Sequence, residues 1–480
     1  MNLKLLRFSL LIAAGPLLAA CTMGPDFQKP PAPAATAYTK AAVAAPELAM
    51  AHDIPADWWT LFHSAPLDAL IRQALKQNPD LAAAQASLRM AMENVKAQSA
   101  AFYPTVTAGA DASRNRQGAQ LSPVLATPQL LYNLYQAQAV FSWTPDIWGA
   151  NRRSVEALQA QADAQKYQLE ATYVALAANV TAAAIQEASL RAQIDTTQAV
   201  IQDERDILAI ERKQHALGQI SGQEIAAQET VLAQTEQTLA PLQKQLAQQR
   251  DLLTRLAGRY PVDEIEQTFL PDSLTVPREL PLSLPAQLVE QRADVRVAEE
   301  NLHAASAEVG VAIAARLPNI TISANAGSVA TQLGQLFGPG NGFWSAGAGL
   351  AGPVFDAGQL AHREDAAKAG YDLASAQYRG TVLSAFQNVA DALHALESDG
   401  EAVRLSVAAE TAAAKSLSLA RAQLAAGQIA RLALLNAEVA DQQARLAAVS
   451  ARAGQLADAA ALMQALGGGW WNRPETLAAQ

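Results

Sequence analysis

The sequence GQISGQE, residues 218–224, separates two long segments that have helical periodicity. The segment before it, residues 151–217, contains no proline or glycine and would span about 100 Å as a helix. Ser221 and Glu224 have the spacing of a capping box, which satisfies free amides at a helix start. After it, leucine or isoleucine recurs every seven residues, as in a coiled-coil seam, at Ile225, Leu232, Leu239, Leu246 and Leu253. The pattern predicts a helical hairpin over residues 149–257, which must serve as a spacer, a filament or the wall of a tube.

A second copy of this pattern follows later in the chain. The sequence Arg292-Ala293-Asp294-Val295 corresponds to Asn78-Pro79-Asp80-Leu81, 214 residues earlier, and Pro318 corresponds to Pro104 at the same spacing. Gly427 lies 209 residues after Gly218 and predicts the turn of a second hairpin, over residues 358–466. The chain is therefore a tandem duplication. The shorter helices of each copy, stacked end to end, would match the long one.

Each copy also contains a pair of short segments that alternate between apolar and polar residues. We predict strands at about 105–113, 135–144, 319–327 and 343–351. Period two with one apolar face is what a membrane barrel strand requires, although a soluble half-buried hairpin is the alternative. The polar segment 114–133 would be an external loop. Four strands cannot close a barrel, and open sheet edges are not tolerated in lipid. Two copies of the chain would give eight strands and three would give twelve.

The N-terminus has the form of a lipoprotein signal peptide. Lys4 and Arg7 precede an apolar run, residues 8–18, that is too short to span a bilayer. The following Leu-Ala-Ala-Cys resembles a lipobox, so we expect cleavage before Cys21 and its conversion to an N-palmitoyl, S-diacylglycerol cysteine. Thr22, in place of aspartate, indicates the outer membrane. The alternative is an ordinary signal peptide with a buried cysteine.

The composition suits long helices. The 480 residues carry a net charge of −10 and include only 5% aromatics, which favours small helix contacts over one large core. The acidic balance argues against a nucleic-acid partner. We predict this organisation along the chain: signal peptide 1–20, lipidated tether 21–57, first repeat 58–260, linker 261–290, second repeat 291–470 and tail 471–480.

Several motifs, in this order, resemble those of the TolC-like outer-membrane efflux lipoproteins of the NodT type. They are the lipobox cysteine, Gly24-Pro25-Asp26-Phe27, Trp58-Trp59, Asn78-Pro79-Asp80-Leu81, Phe102-Tyr103-Pro104, Asp146-Ile147-Trp148-Gly149, Asp356-Ala357-Gly358 and Ala465-Leu466-Gly467-Gly468-Gly469-Trp470-Trp471. The resemblance implies a homotrimer in outer-membrane lipid, with a twelve-stranded transmembrane β-barrel, a twelve-helix periplasmic α-barrel and an equatorial collar. It implies a passive exit channel that receives small toxic compounds, such as antibiotics, from an inner-membrane resistance-nodulation-division (RND) pump through a periplasmic adaptor.

The resemblance also places adaptor docking and gating at the hairpin tips. The docking candidates are Gly218, Ser221, Glu224 and Gly427, and the candidate tunnel-mouth region comprises Arg421, Leu424, Ile429, Arg431, Ala433 and Asn436. Many relatives have an acidic ring of aspartates where this chain has Ala433 and Asn436. Leu424 and Ile429 likewise replace a tyrosine and an arginine that lock some relatives shut. We interpret the other charges near the tips, such as Glu204 and Glu211, as solvated helix faces with pairs such as Glu211 and His215.

No motif predicts an enzyme, a cofactor or a metal site. The histidines are dispersed without metal-ligand spacing, and neither a P-loop nor a nucleophile elbow is present. A periplasmic coiled-coil spacer or adaptor without a pore is the competing hypothesis, and it leaves the four amphipathic segments unexplained. Metal-ion export and type I protein export are further alternatives for the duct.

Overall fold

The computed structural model describes residues 22–40, 48–50, 53–116, 131–277, 280–283 and 285–473. The predicted signal peptide, Cys21 and most of the predicted external loop lie outside these residues. Contacts divide the chain into two units. The first contains the described residues up to Lys29, residues 89–164 and residues 299–377. The second contains the described residues of 30–88, 165–298 and 378–480.

In each repeat a short helix, a strand pair and a helical hairpin follow one another, as the sequence predicts. In chain order they are β1 (Leu48–Met50), α1 (Ala65–Gln77), α2 (Pro79–Ser99), β2 (Thr105–Arg116), β3 (Leu131–Trp143), α3 (Ala150–Ala216), α4 (Gly222–Leu256), β4 (Leu280–Leu282), α5 (Pro285–Gln291), α6 (Ala293–Ala314), β5 (Asn319–Ala330), β6 (Gly342–Ala351), α7 (Gln359–Ala425) and α8 (Arg431–Ala465). None of the described helices carries an apolar stretch long enough to cross a membrane.

The first unit contains an antiparallel sheet with the strand order β2-β3-β5-β6. Its strands are longer than predicted at the ends that face the connecting loops. β2 continues to Arg116 and β3 begins at Leu131, so the prediction of a loop over 114–133 was wrong at both ends. Residues 117–130 of that loop lie outside the described part of the chain.

The register of this sheet brings the predicted apolar faces together. Val106 lies opposite Phe141, which lies opposite Ala324, and Ala324 lies opposite Ala346. Because residues directly opposite in an antiparallel pair point to the same side, these side chains form one apolar face across all four strands. The other face is rich in polar side chains, including the opposed pair Ser142 and Ser323. The predicted alternation is therefore confirmed as one amphipathic sheet.

Strands β2 and β6 are the two edges of this sheet. Each edge leaves a row of backbone amides and carbonyls without a partner strand in the described chain. Several large apolar side chains on the edge strands are exposed, among them Val106, Trp344 and Leu350. The described part of one chain therefore does not pair both edges of its own sheet.

The segment after the predicted lipidation site is held tightly within the first unit. The guanidinium of Arg153, whose side chain is only 4% exposed, donates hydrogen bonds to the carbonyls of Met23 and Gly24 and to carboxylates of Asp26 and Glu156. Gly24 has a φ of +91°, and a Cβ there would lie 2.5 Å from the Cα of Gly310. Phe27 stacks on the ring of His303, with centroids 4.4 Å apart. The motif Gly24-Pro25-Asp26-Phe27 is thus a clamp rather than a loose part of the tether.

The second unit contains the ends of the shorter helices, which meet in pairs. The side-chain amide of Asn78 donates to the Leu256 carbonyl at the end of α4, over 2.9 Å. In the second repeat, Arg292 donates to the Ala465 carbonyl at the end of α8, over 2.8 Å. The start of α2 therefore adjoins the end of α4, and the start of α6 adjoins the end of α8. This end-to-end arrangement is the one that the helix lengths predict.

A small parallel sheet in the second unit was not predicted. Strand β4 lies within the predicted linker 261–290 and pairs with β1, which lies within the predicted tether. The hydroxyl of Tyr38 also donates to the Ser283 carbonyl over 3.0 Å. The linker and the tether therefore contact each other. The sequence did not indicate β1 or β4 because strands of three residues show no periodicity.

Candidate functional site at the hairpin tips

The two hairpin turns, both in the second unit, have the same backbone geometry. Gly218 and Gly427 have φ values of +75° and +71°. The amide of Gln219 donates to the Gln214 carbonyl over 2.9 Å, and the amide of Gln428 donates to the Gln423 carbonyl over the same distance. These are Schellman turns, which require a left-handed residue after the helix. A Cβ at either glycine would meet nothing within 4 Å, so backbone conformation, and not space, favours glycine there.

The helices that leave the two turns begin differently. At the first turn, Ser221 and Glu224 form the predicted capping box: the Glu224 carboxylate accepts from the Ser221 amide over 2.7 Å. At the second turn the equivalent position is Ala430, whose side chain cannot cap the helix. Replacing a capping serine with alanine costs about 1 kcal/mol. The start of α8 therefore depends more on its neighbours than the start of α4 does.

Those neighbours belong to the first hairpin. Arg431, the first residue of α8, places its Nε atom 2.6 Å from Oε1 of Glu211 on α3. Its Nη2 atom donates to the side-chain carbonyl of Gln228 on α4, over 3.0 Å. A second pair, Arg421 on α7 and Asp203 on α3, is separated by 2.9 Å. Two arginines of the second hairpin are therefore ion-paired to the first.

The two cross-hairpin pairs differ in solvent exposure. The side chains of Arg431 and Glu211 are 15% and 7% exposed, whereas those of Arg421 and Asp203 are about half exposed. Exposed pairs contribute little because solvent screens them, but breaking a buried pair leaves an uncompensated charge. Burial raises the pKa of Glu211, and the charge of Arg431 opposes that shift. The Glu211–Arg431 pair is therefore the stronger link between the hairpins.

These contacts correct the prediction for the tip charges. Glu211 was expected to be solvated and to pair with His215, but it is buried against Arg431. His215 instead lies with its Nδ1 atom 2.9 Å from the Ile220 carbonyl. Glu204 was also expected at a solvated face and is buried, where it accepts from the hydroxyl of Thr235 over 2.9 Å. Gln228 and Thr235 were not predicted; they lie one row from the leucine seam at heptad spacing.

The candidate tunnel-mouth residues separate into two groups. Leu424 and Ile429 pack against the buried cluster formed by Leu417, Ala420 and Leu434. Ala433 and Asn436 are exposed. Leu424 and Ile429 are therefore part of an apolar contact in this chain.

A cleft of about 540 Å³ opens between the two hairpin tips. Ile207 and Ile210 line it from the first hairpin, and Leu424 and Ile429 line it from the second. The charged groups Glu211, Glu224, Arg421 and Arg431 lie in the same lining. Within the described ranges, no group of three or more His, Cys, Asp or Glu side chains is placed to hold a metal ion. The cleft is amphipathic, with both charge signs present.

An amphipathic sheet with free edges, joined in tandem to long helical hairpins, defines a subunit of an outer-membrane channel. A sequence model described as "Outer membrane efflux protein" matches residues 70–259 and 284–468. The chain therefore belongs to the outer membrane efflux protein family.

Individual relatives agree with this assignment. The toluene efflux pump outer membrane protein TtgF of Pseudomonas putida is 30% identical over 472 residues, which cover 96% of each chain. The pyoverdine export outer membrane protein OpmQ of Pseudomonas aeruginosa is 28% identical and covers 88% of this chain and 89% of its own. The solved structure of the outer-membrane channel OprN has a TM-score of 0.87 at 26% identity, over 94% of this chain and 100% of that one.

These comparisons confirm the predicted fold class, function and location. The chain is a subunit of an outer-membrane efflux channel, and it belongs to a family of channels rather than of enzymes. It is the outer-membrane component of an efflux pump, located in the outer membrane with a long periplasmic helical part.

Proposed function

We propose that this channel is the passive exit duct of a pump whose inner-membrane component is an RND transporter. A periplasmic adaptor would dock at the hairpin tips, and the trimer would export small toxic organic compounds. The observation that carries this proposal is the pair of helical hairpins that are ion-paired to each other at their tips. A partner protein can break these ion pairs and form others with the same side chains, so the contact is suited to a gate.

The free edges β2 and β6 support the homotrimer. Backbone groups at a sheet edge cannot remain unpaired in lipid, so β2 of one copy must pair with β6 of another. Three copies of this sheet would give a closed barrel of twelve strands, within the range of known outer-membrane barrels. The apolar face, which runs across all four strands, would face the lipid.

Exposed apolar residues at both turns support adaptor docking. Leu217 is 74% exposed beside Gly218, and Leu432 is 67% exposed after Gly427. They lie near the cleft whose lining includes Glu224 and Arg421. Exposed apolar side chains beside charged groups are typical of protein contact surfaces. Ser221 and Glu224 would hold the first turn in its docking conformation.

The Glu211–Arg431 pair would keep the duct closed in the resting state. It joins the hairpins close to the tips, and its charges are too buried to be screened well by salt. This pair can therefore hold the tip closed. In many relatives that role belongs to aspartates, a tyrosine and an arginine, and this chain has Ala433, Asn436, Leu424 and Ile429 in their place.

Substitutions at the turns test the docking role. Gly218→Lys and Gly427→Lys place a charged side chain on a left-handed backbone, whereas Gly218→Asn and Gly427→Asn keep that conformation accessible without a charge. We expect the lysine variants to form trimers but to lose export, and the asparagine variants to retain it. Drug susceptibility in a deletion strain measures export. Wild-type resistance in both lysine variants would refute docking at the tips.

The substrate class is tested in the same deletion strain. If small toxic compounds are the cargo, complementation restores resistance to toluene and to antibiotics. TtgF and OpmQ are named for toluene efflux and pyoverdine export. A siderophore that accumulates in the periplasm of the deletion strain, without a change in resistance, would favour the second substrate class.

A Cys21→Ala variant separates the duct from a spacer held only by lipid. We expect the unlipidated protein to resist extraction by sodium carbonate and to conduct ions after refolding, because the barrel supplies its own membrane affinity. Release as a soluble protein, or a total absence of conductance, would favour the spacer. Impaired delivery to the outer membrane alone would indicate that the lipid at Cys21 serves sorting and that the barrel forms without it.

A further inference from the structure

Six buried or half-buried polar side chains stack between the hairpins in two layers, and we name this set the polar stack. Its members come in pairs seven residues apart: Glu204 and Glu211 on α3, Gln228 and Thr235 on α4, and Arg431 and Glu438 on α8. Seven residues return to the same side of a helix in a coiled coil. Each helix therefore presents one polar residue to each layer.

The layer nearer the turns contains both charge signs. Arg431 contacts Glu211 over 2.6 Å and Gln228 over 3.0 Å. One guanidinium thus balances one carboxylate in this layer. The Oε2 atom of Glu211 is buried without a hydrogen-bond partner among the described residues.

The second layer lacks a cation. Glu204 accepts from the hydroxyl of Thr235, but its Oε2 atom is buried without a partner in the described chain. Both carboxylate oxygens of Glu438 are buried and are also unpartnered among the described residues. Arg431 and Arg421 act on Glu438 from a distance, and each already faces a carboxylate of its own. The second layer therefore holds two carboxyl groups and only a neutral hydroxyl.

We propose that the duct is closed by protons: the two hairpins pack together most firmly when Glu204 and Glu438 are protonated, and the tip loosens as these groups ionise. This inference rests on the proposed gate at the hairpin tips. Two buried carboxylates without a cation repel each other and lose their hydration, whereas a carboxylic acid can donate a hydrogen bond to its neighbour. Separation of the hairpins would return both groups to water.

The charges around the stack act in both directions, and burial is the largest cause for both carboxyls. The groups that face it are Asp203 on α3, Glu224 and Glu236 on α4, Arg421 on α7 and Arg431 on α8. Burial raises the pKa of Glu204, and the nearby Glu236 and Asp203 raise it further. Burial also raises the pKa of Glu438, although Arg431 and Arg421 lower it in part.

The direction of the pH effect follows from the difference in carboxyl pKa between the closed and the open tip. In an open tip these carboxyls would be solvated and would have ordinary pKa values near 4.5. Because the carboxyls have a higher pKa in the closed tip, the closed tip binds more protons than the open one at pH values between the ordinary pKa and the raised one. Closure is therefore most favoured in acid and weakens as the pH rises from the ordinary pKa through the raised one. Each proton taken up changes the closed-to-open ratio by at most about tenfold per pH unit.

Planar-bilayer recordings of the full-length lipidated trimer test this inference, with potassium chloride as the conducted salt. We expect the open fraction of the wild type to rise when the periplasmic side is moved from about pH 5 to about pH 8. The double variant Glu204→Gln with Glu438→Gln should lose most of that pH dependence and stay closed. The matched control is Asp206→Asn, which removes an exposed carboxylate two residues from Glu204 and should behave as the wild type.

A second measurement covers the case in which the closed channel conducts too little to resolve. Spin labels at Leu217→Cys and Gln428→Cys report the separation of the two tips, and we expect longer distances at the higher pH in the wild-type background only. Equal pH dependence in the wild type and the double variant, or tip distances that do not change with pH, would overturn the inference. Conductance that is absent from the wild type at every pH, with labels that do move, would instead refute the duct.

Discussion

The Nη2 atom of Arg153 lies 2.7 Å from Oδ1 of Asp26, within a cluster that also binds the carbonyls of Met23 and Gly24. The first carbonyl in this cluster belongs to Met23, two residues after the predicted lipidation site. Residues 23–26 are therefore fixed to the first unit and are not part of a loose tether.

Arg153→Met should release this clamp. The variant loses charge-assisted hydrogen bonds from a buried guanidinium, at a cost of about 2–3 kcal/mol. We expect chymotrypsin to cleave after Phe27 faster than in the wild type, because cleavage requires local release of this segment. The control is Arg89→Met, which removes an exposed arginine from the same unit. An unchanged cleavage rate in Arg153→Met would contradict the clamp.

Gly327→Ala should destabilise the sheet, and Gly347→Ala should not. A Cβ at Gly327 would overlap the carbonyl oxygen of Ala137 on β3 and approach Gln138, whereas a Cβ at Gly347 meets nothing within 4 Å. Forced overpacking costs about 1–3 kcal/mol. We expect Gly327→Ala to lower the temperature at which trimers dissociate on a gel. The two variants make the same chemical change in one sheet, so equal dissociation temperatures would argue against this packing.

Arg431→Met should open the resting channel. Removing one partner of a buried ion pair costs about 3 kcal/mol or more, because Glu211 is left buried and unpaired. We expect a larger open fraction in planar bilayers at neutral pH. Arg212→Met breaks the exposed Arg212–Glu229 pair within the first hairpin and is the matched control. If both variants behave alike, the Glu211–Arg431 pair does not hold the gate.

Asp399→Asn should stabilise the second hairpin at neutral and alkaline pH. Burial and the neighbouring Asp458 raise the pKa of Asp399 to about 7. The folded hairpin therefore holds a proton that the unfolded chain releases near its ordinary pKa of 3.8, and stability falls as the pH rises from 3.8 to about 7.

Thermal denaturation at several pH values measures this effect. We expect the wild type to lose thermal stability across that window and Asp399→Asn to lose less. Asp391→Asn, an exposed aspartate on the same helix, should follow the wild type. Parallel curves for all three proteins would show that the Asp399–Asp458 contact does not titrate as described.

Much of the fold could be predicted from the sequence because its signals are local and repeated. The turn glycines, the capping box at Ser221 and the alternation in the strands each depend on neighbouring residues. The duplication repeats the turn glycine and the strand alternation within the same chain, but not the capping box. The short strands β1 and β4 escaped prediction because three residues carry no period and their pairing joins distant parts of the chain.

The candidate site was only half predictable. Gly218 and Gly427 were found because a left-handed turn restricts residue choice locally. Glu211 and Arg431 were recognised as charges near the tips, but nothing in the sequence identifies their pairing.

The sequence by itself determined that this protein has two long helical hairpins and an amphipathic sheet, since period and turn chemistry act over a few residues. Only the tertiary structure decided which charges are buried. Glu211 meets Arg431 and Glu204 meets Thr235 because particular faces of separate helices oppose one another. Which charges are buried depends on how four helices pack together at the tips, and the sequence of any single helix does not specify that packing.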